Sequence, residues 1–167
     1  KSVCPSVTMD VKFTGSWYDE TKEKAAAEAL INGGCVLISQ HADSMGAPTA
    51  CENAGVPNVS YNGSTAAACP ETFLISSRIN WVPYFEYMIT QVKNGAAIDT
   101  DWAGTIENGA VALTELGASA APGTAEKLEE IKAKLISGEL NVFDTANFTK
   151  DGKKLESYMA DVNTDKD

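Results

Sequence analysis

Apolar and polar residues alternate through Val7-Thr8-Met9-Asp10-Val11-Lys12-Phe13. This period of two predicts a strand over residues 7–14. The chain then turns at Gly15-Ser16, and a helix is predicted over Glu20–Asn32, capped by Asp19 and stopped by Gly33-Gly34. Cys35-Val36-Leu37-Ile38-Ser39 is a short, nearly continuous apolar run, which predicts a strand covered on both faces. A second helix is expected near residues 48–54, ended by Gly55, and further strands at residues 57–61 and 72–76. Strands and helices that alternate with short connections imply an α/β fold: a Rossmann-like three-layer arrangement with a mostly parallel sheet.

From Trp81 onward the pattern changes. A helix is expected over residues 81–94, with Tyr84, Tyr87, Met88 and Val92 on its apolar side. A short strand is expected at residues 110–113. Leu128, Ile131 and Leu135 recur at helical spacing, which predicts a helix over Thr124–Ser137 ended by Gly138. Residues 141–143 read as a brief extended piece. The organisation expected is an α/β core over residues 1–80, a return segment over residues 81–143 and a polar C-terminal extension over residues 144–167.

Right-handed crossovers place the loops that follow parallel strands on one edge of the sheet, and that edge is where open α/β sheets bind ligands. The loops predicted there carry Trp17, Tyr18, His41, Asp43, Tyr61, Asn62, Asn80 and Trp81. An indole face suits a flat, partly polar ring, and neighbouring amides and carboxylates suit ring nitrogens or sugar hydroxyls. The competing reading for Trp17 and Trp81 is plain packing between helix and sheet.

Charge narrows the partners. The chain has 167 residues, 23 acids against 13 bases, and a formal net charge of −10. That balance disfavours nucleic acid and anionic membrane surfaces. No apolar run approaches the roughly 18 residues that span a bilayer. The four cysteines, Cys4, Cys35, Cys51 and Cys69, form no C-x-x-C pair, and the single His41 has no zinc-motif spacing, so no metal site is expected. They read as small buried hydrophobes, or as one or two disulfides of an exported protein. On the second reading Cys4 and Cys35 are the first pair to consider, because both would lie at one edge of the sheet.

No P-loop, G-x-G-x-x-G or G-x-S-x-G motif is present, and no cofactor is expected. His41 has no nucleophile at a recognisable spacing, so a small α/β enzyme built on His41 is an unsupported third possibility behind binding and sensing. N-x-S/T sequons at Asn58, Asn62 and Asn147 matter only in a eukaryotic secretory chain.

The segment Gly-Ser-Trp-Tyr-Asp-Glu-Thr-Lys, with the helix that follows to Ile31, resembles the basic membrane protein (Bmp) family of bacterial substrate-binding lipoproteins. The resemblance continues through Ser39-Gln40-His41-Ala42-Asp43-Ser44, Ala50-Cys51-Glu52-Asn53-Ala54-Gly55-Val56 and Ser60-Tyr61-Asn62. It extends to Ile79-Asn80-Trp81-Val82-Pro83-Tyr84, Trp102-Ala103-Gly104, Glu107-Asn108-Gly109 and residues 136–143. It implies a type I periplasmic-binding-protein fold with two lobes that clamp a small molecule, a purine nucleoside or base in several members. It also implies an extracytoplasmic receptor that delivers solute to an ABC transporter permease and reaches the membrane only through an N-terminal lipid anchor. The chain begins where the family's second lobe begins, so it reads as a fragment covering mainly that lobe, and Cys4 is not taken as the lipid-bearing cysteine. A lysine common in the family near Glu107 is absent from Thr105-Ile106-Glu107-Asn108, so its ligand role is not carried over. A ligand-sensing extracellular domain of a signalling receptor is the alternative with the same fold.

Overall fold

The computed structural model describes residues 4–141, 149–150 and 153–154. The chain forms two compact units. One comprises Lys1–Arg78 and Leu113–Pro122; the other comprises Ile79–Ala112 and Gly123–Asp167.

In the first unit, α1 (Glu20–Asn32), β1 (Ile38–Ser39), α2 (Gly46–Ala54), β2 (Asn58–Tyr61) and β3 (Phe73–Ile79) follow in order. β1 pairs parallel with β2, and β2 parallel with β3. The chain returning through residues 113–119 runs antiparallel to β3, since Thr114 N–H donates to the Ser76 carbonyl and Gly117 N–H to that of Leu74. β4 (Val111–Leu113) completes a four-stranded sheet in the order β1-β2-β3-β4.

α1 forms where its signals place it. Asp19 accepts from the Lys22 N–H at 3.0 Å, while the Glu23 carboxylate reaches back to the Asp19 N–H at 2.8 Å. These are reciprocal caps of the kind that satisfy orphan N–H groups of a first turn. The cap holds the Asp19 carboxyl below the usual carboxylate range, chiefly through the Lys22 N–H bond. A depressed carboxyl stabilises the fold above its unfolded pKa, and that contribution is lost as pH falls through the folded value. Asp19→Ala is therefore expected to lower the unfolding midpoint at neutral pH and to leave a shallower loss of stability on acidification, read by far-UV circular dichroism melts across pH.

The alanine-rich face of α1 lets α2 approach closely. The core cluster is Ala27, Ile38, Ala47, Ala50 and Cys51, with Leu30, Ile31 and Val56 packed around it. Glu23 is buried beneath the α1–α2 contact, accepting from the Ser44 N–H at 3.1 Å and the Ser44 hydroxyl at 2.5 Å. A buried carboxylate is tolerable when its oxygens are satisfied in this way.

Two expectations fail around β1. Residues 7–14 form no strand, and the run at residues 35–39 yields only the two-residue β1. A strand needs a neighbour about 4.8 Å away to take its hydrogen bonds. Among the described residues no strand pairs with residues 7–14, and β2 pairs only with the last two residues of the run 35–39; Phe13 is 93% exposed, Val36 82% and Leu37 50%, so the run is not covered on both faces. Instead an open cleft of about 520 Å³ lies between them, with Val11 and Phe13 on one wall and Leu30 and Ile38 on the other.

The second unit contains α3 (Val82–Lys93), α4 (Thr124–Ser137) and an antiparallel pair, β5 (Thr149–Lys150) with β6 (Lys153–Lys154). Tyr84 and Tyr87 of α3 pack their rings against Trp102, with centroids 5.2 and 6.4 Å apart. Met88 is half-buried on the same helix, but Val92, expected there, is 66% exposed. On α4, Leu128, Ile131 and Leu135 are half-buried, as their spacing predicts. Of the extended piece expected at residues 141–143, only Asn141 is among the described residues. The sequon at Asn147 lies outside them.

Candidate ligand-binding rim

The rim is built by the ends of β1 and β2 and the turn before α1. Beyond Ser39 the chain leaves β1 through Gln40, whose N–H donates to the Val59 carbonyl at 3.1 Å. The Asp43 N–H then donates to the Trp17 carbonyl at 3.0 Å, tying the turn before α1 to the loop after β1. β2 ends at Tyr61. Asn62 takes a left-handed φ of 64°, a conformation asparagine tolerates better than most residues, and its N–H donates to the Ser77 carbonyl at 2.6 Å.

This local geometry gathers three rings. His41 stacks on Tyr61 with centroids 4.3 Å apart and planes 30° from parallel. Trp17 lies 6.1 Å from His41 at 49°. Trp17 is 72% exposed, so packing between helix and sheet does not explain it. Its indole and His41 line the cleft together with Ala26, Ala27, Leu30 and Ala47. The arrangement sets aromatic rings beside apolar side chains, suited to stacking a flat ring or a sugar face.

The expected site residues divide. Trp17, His41 and Tyr61 form one row; Asp43 and Asn62 flank it, both exposed. Tyr18 is exposed beside Trp17 but makes no ring contact with the row among the described residues. Asn80 and Trp81 fall in the second unit and are engaged locally. The Asn80 side chain donates to the Gly109 carbonyl at 3.1 Å and accepts from the Val82 N–H at 3.3 Å, while Trp81 meets the rings of Tyr84 and Phe85. Asn58 is buried, so that sequon is no glycan acceptor in the folded chain.

Sequence reasoning missed Gln40 and Glu23, which also line the cleft. Gln40 donates to the Ser44 carbonyl at 3.4 Å, and its Oε1 is buried with no hydrogen-bond partner among the described residues. An unpaired buried acceptor favours a donor from a ligand or water. Gln40 stands next to His41 in the polar loop, but nothing in the sequence tells which neighbour turns inward. Nothing in its position on α1 marks Glu23 as buried.

The family of PnrA-like ABC transporter substrate-binding proteins, Bmp, matches residues 1–146. A purine-binding protein of Brucella abortus is 31% identical over 93% of this chain and 46% of its own length. A protein of Haloferax volcanii described as an ABC transporter glucose-binding protein is 29% identical over 89% of this chain and 38% of its own. The chain thus spans less than half the length of these relatives. A solved ABC transporter solute-binding protein of Conexibacter woesei superposes with a TM-score of 0.73 at 22% identity, over 84% of this chain and 48% of that one. A transcriptional activator of the comK gene from Bacillus halodurans superposes at 0.68 and 16% identity, over 77% of this chain and 46% of that one. At these identities the two structures speak for the fold alone. The chain belongs to the Bmp family of PnrA-like ABC transporter substrate-binding proteins.

Proposed function

We propose that this chain supplies the ligand-contacting rim of an extracytoplasmic solute-binding protein that delivers a small ring-bearing molecule, a purine nucleoside or base, to an ABC transporter permease. The observation that carries the reading is the pair of exposed rings Trp17 and His41 lining a largely apolar cleft, with the half-buried Tyr61 stacked on His41. Trp17 stacks on the ligand ring; His41 and Tyr61 extend that surface; Asp43, Asn62 and the unpaired Gln40 oxygen address its polar edge. The role is binding rather than catalysis, in keeping with a family of substrate-binding proteins. A lipid anchor on the full-length protein belongs to the same proposal.

The two curated relatives are named for a purine and for glucose, so the ligand class is the finer point to test. Thermal unfolding of the full-length protein against nucleosides, bases, glucose and amino acids separates them. A ligand at about 100 times its dissociation constant adds roughly 2.7 kcal/mol, a clear rise in midpoint. Purine nucleosides or bases alone are expected to produce it. A rise with glucose and none with purines would overturn the ligand and keep the family.

A further inference from the structure

All four cysteines are free thiols in this structure; Cys51 and Cys69 are both 0% exposed, unlike the exposed Cys4 and the half-buried Cys35. Cys51 lies on the inner face of α2, within the cluster of Ala47, Ala50 and Ile38. Cys69 closes the turn that leads into β3. Its Sγ donates to the Thr65 carbonyl at 3.2 Å and lies 3.7 Å from Asn58 Oδ1.

The two segments are held against each other. Glu52, the residue after Cys51, accepts from the Glu71 N–H at 3.2 Å, the Thr72 N–H at 3.1 Å and the Thr72 hydroxyl at 2.8 Å. The Thr72 N–H also approaches the Cys69 carbonyl at 3.2 Å. The last turn of α2 and the turn 69–72 therefore form one hydrogen-bonded corner with a buried thiol on each side. Burial pushes the Cys51 thiol up to about 11, and Cys69 adds to the rise. Cys35, by contrast, points to Asp10 Oδ2 at 3.9 Å and Cys4 to Ser6 at 3.6 Å, so the pair expected at the sheet edge, Cys4 with Cys35, is not assembled.

We propose that Cys51 and Cys69 form a structural disulfide that staples the end of α2 to the entrance of β3. The oxidant is a small or protein disulfide of the extracytoplasmic space, acting before the corner is buried. One cysteine thiolate attacks that disulfide and releases one reduced thiol. The second thiolate then attacks the mixed disulfide and releases the other. The pair has then given up two protons and two electrons, and the oxidant has become two thiols. In the cell this rests on the extracytoplasmic reading above, because a reducing cytosol would keep the pair open.

The test is refolding of the purified chain in a mixed oxidised and reduced glutathione buffer, followed by alkylation in denaturant without reductant and peptide mass mapping. The expected result is a linked pair of peptides carrying Cys51 and Cys69, with neither thiol alkylated. Reduction is expected to lower the melting temperature of the wild type by several degrees and to leave that of the Cys51→Ala/Cys69→Ala variant unchanged. Alkylation of both thiols after oxidative refolding, or linkage of either to Cys4 or Cys35, would overturn the staple. If the pair closes in glutathione but protein recovered from its own cells carries both thiols free, the pairing chemistry is supported and the extracytoplasmic reading fails instead.

Discussion

Replacing Gly46 with alanine is expected to destabilise the first unit by about 3 kcal/mol, at the upper end of what overpacking costs. Gly46 opens α2 where it crosses α1. A Cβ there would overlap the Glu20 carbonyl oxygen and stand 2.9 Å from the Lys24 nitrogen. Both obstacles are main chain in α1, so no rotamer change relieves them and the helices must part. Separation also strains the bonds from Ser44 to the buried Glu23 carboxylate, leaving a charge short of partners. Gly63→Ala is the control. Its Cβ would meet nothing within 4 Å, so it should be neutral or slightly stabilising. Denaturant titration of the two variants checks the contrast, and equal midpoints would mean that α1 and α2 do not pack as described.

Trp17→Ala carries the largest expected effect on binding. Stacking on an aromatic side chain is worth about 1–3 kcal/mol per ring, so loss of the indole should weaken the ligand found by thermal screening by roughly 5- to 150-fold. Because Trp17 is 72% exposed, the unliganded midpoint should barely move. Calorimetric titration of the full-length protein measures the affinity directly. Unchanged affinity would remove Trp17 from the site. A lowered unliganded midpoint would make its role structural.

The parts of the fold legible in the sequence are those specified locally. α1 carries a cap, an apolar face and a glycine stop within its own residues, and it begins and ends at Glu20 and Asn32 as expected. α4, without a side-chain cap, still runs between Thr124 and Ser137 as its apolar spacing and the stop at Gly138 indicate. The strand expected at residues 7–14 shows the limit. Alternation tells which side chains would share a face, but it is silent about the partner a strand must have. The run through Val36 and Leu37 likewise reports hydrophobicity and not what covers it.

The rim follows the same division. That Trp17, His41 and Tyr61 would meet was legible, because right-handed crossovers bring successive loops to one edge. That the Asn80 side chain would accept from the Val82 N–H at the start of α3 was not, since a loop amide reads the same whether or not it meets a helix end. The inward turns of Glu23 and Gln40 depend on tertiary packing against Ser44, outside the reach of any local pattern.

A ligand that meets the Trp17–His41–Tyr61 row must perturb the Trp17 indole. The most direct measurement is a two-dimensional nitrogen–proton NMR titration of the full-length protein with the ligand that raises its melting temperature, following the tryptophan indole N–H signals. The Trp17 signal is expected to shift in proportion to bound ligand. Saturation of the protein with the Trp17 signal unmoved would contradict it.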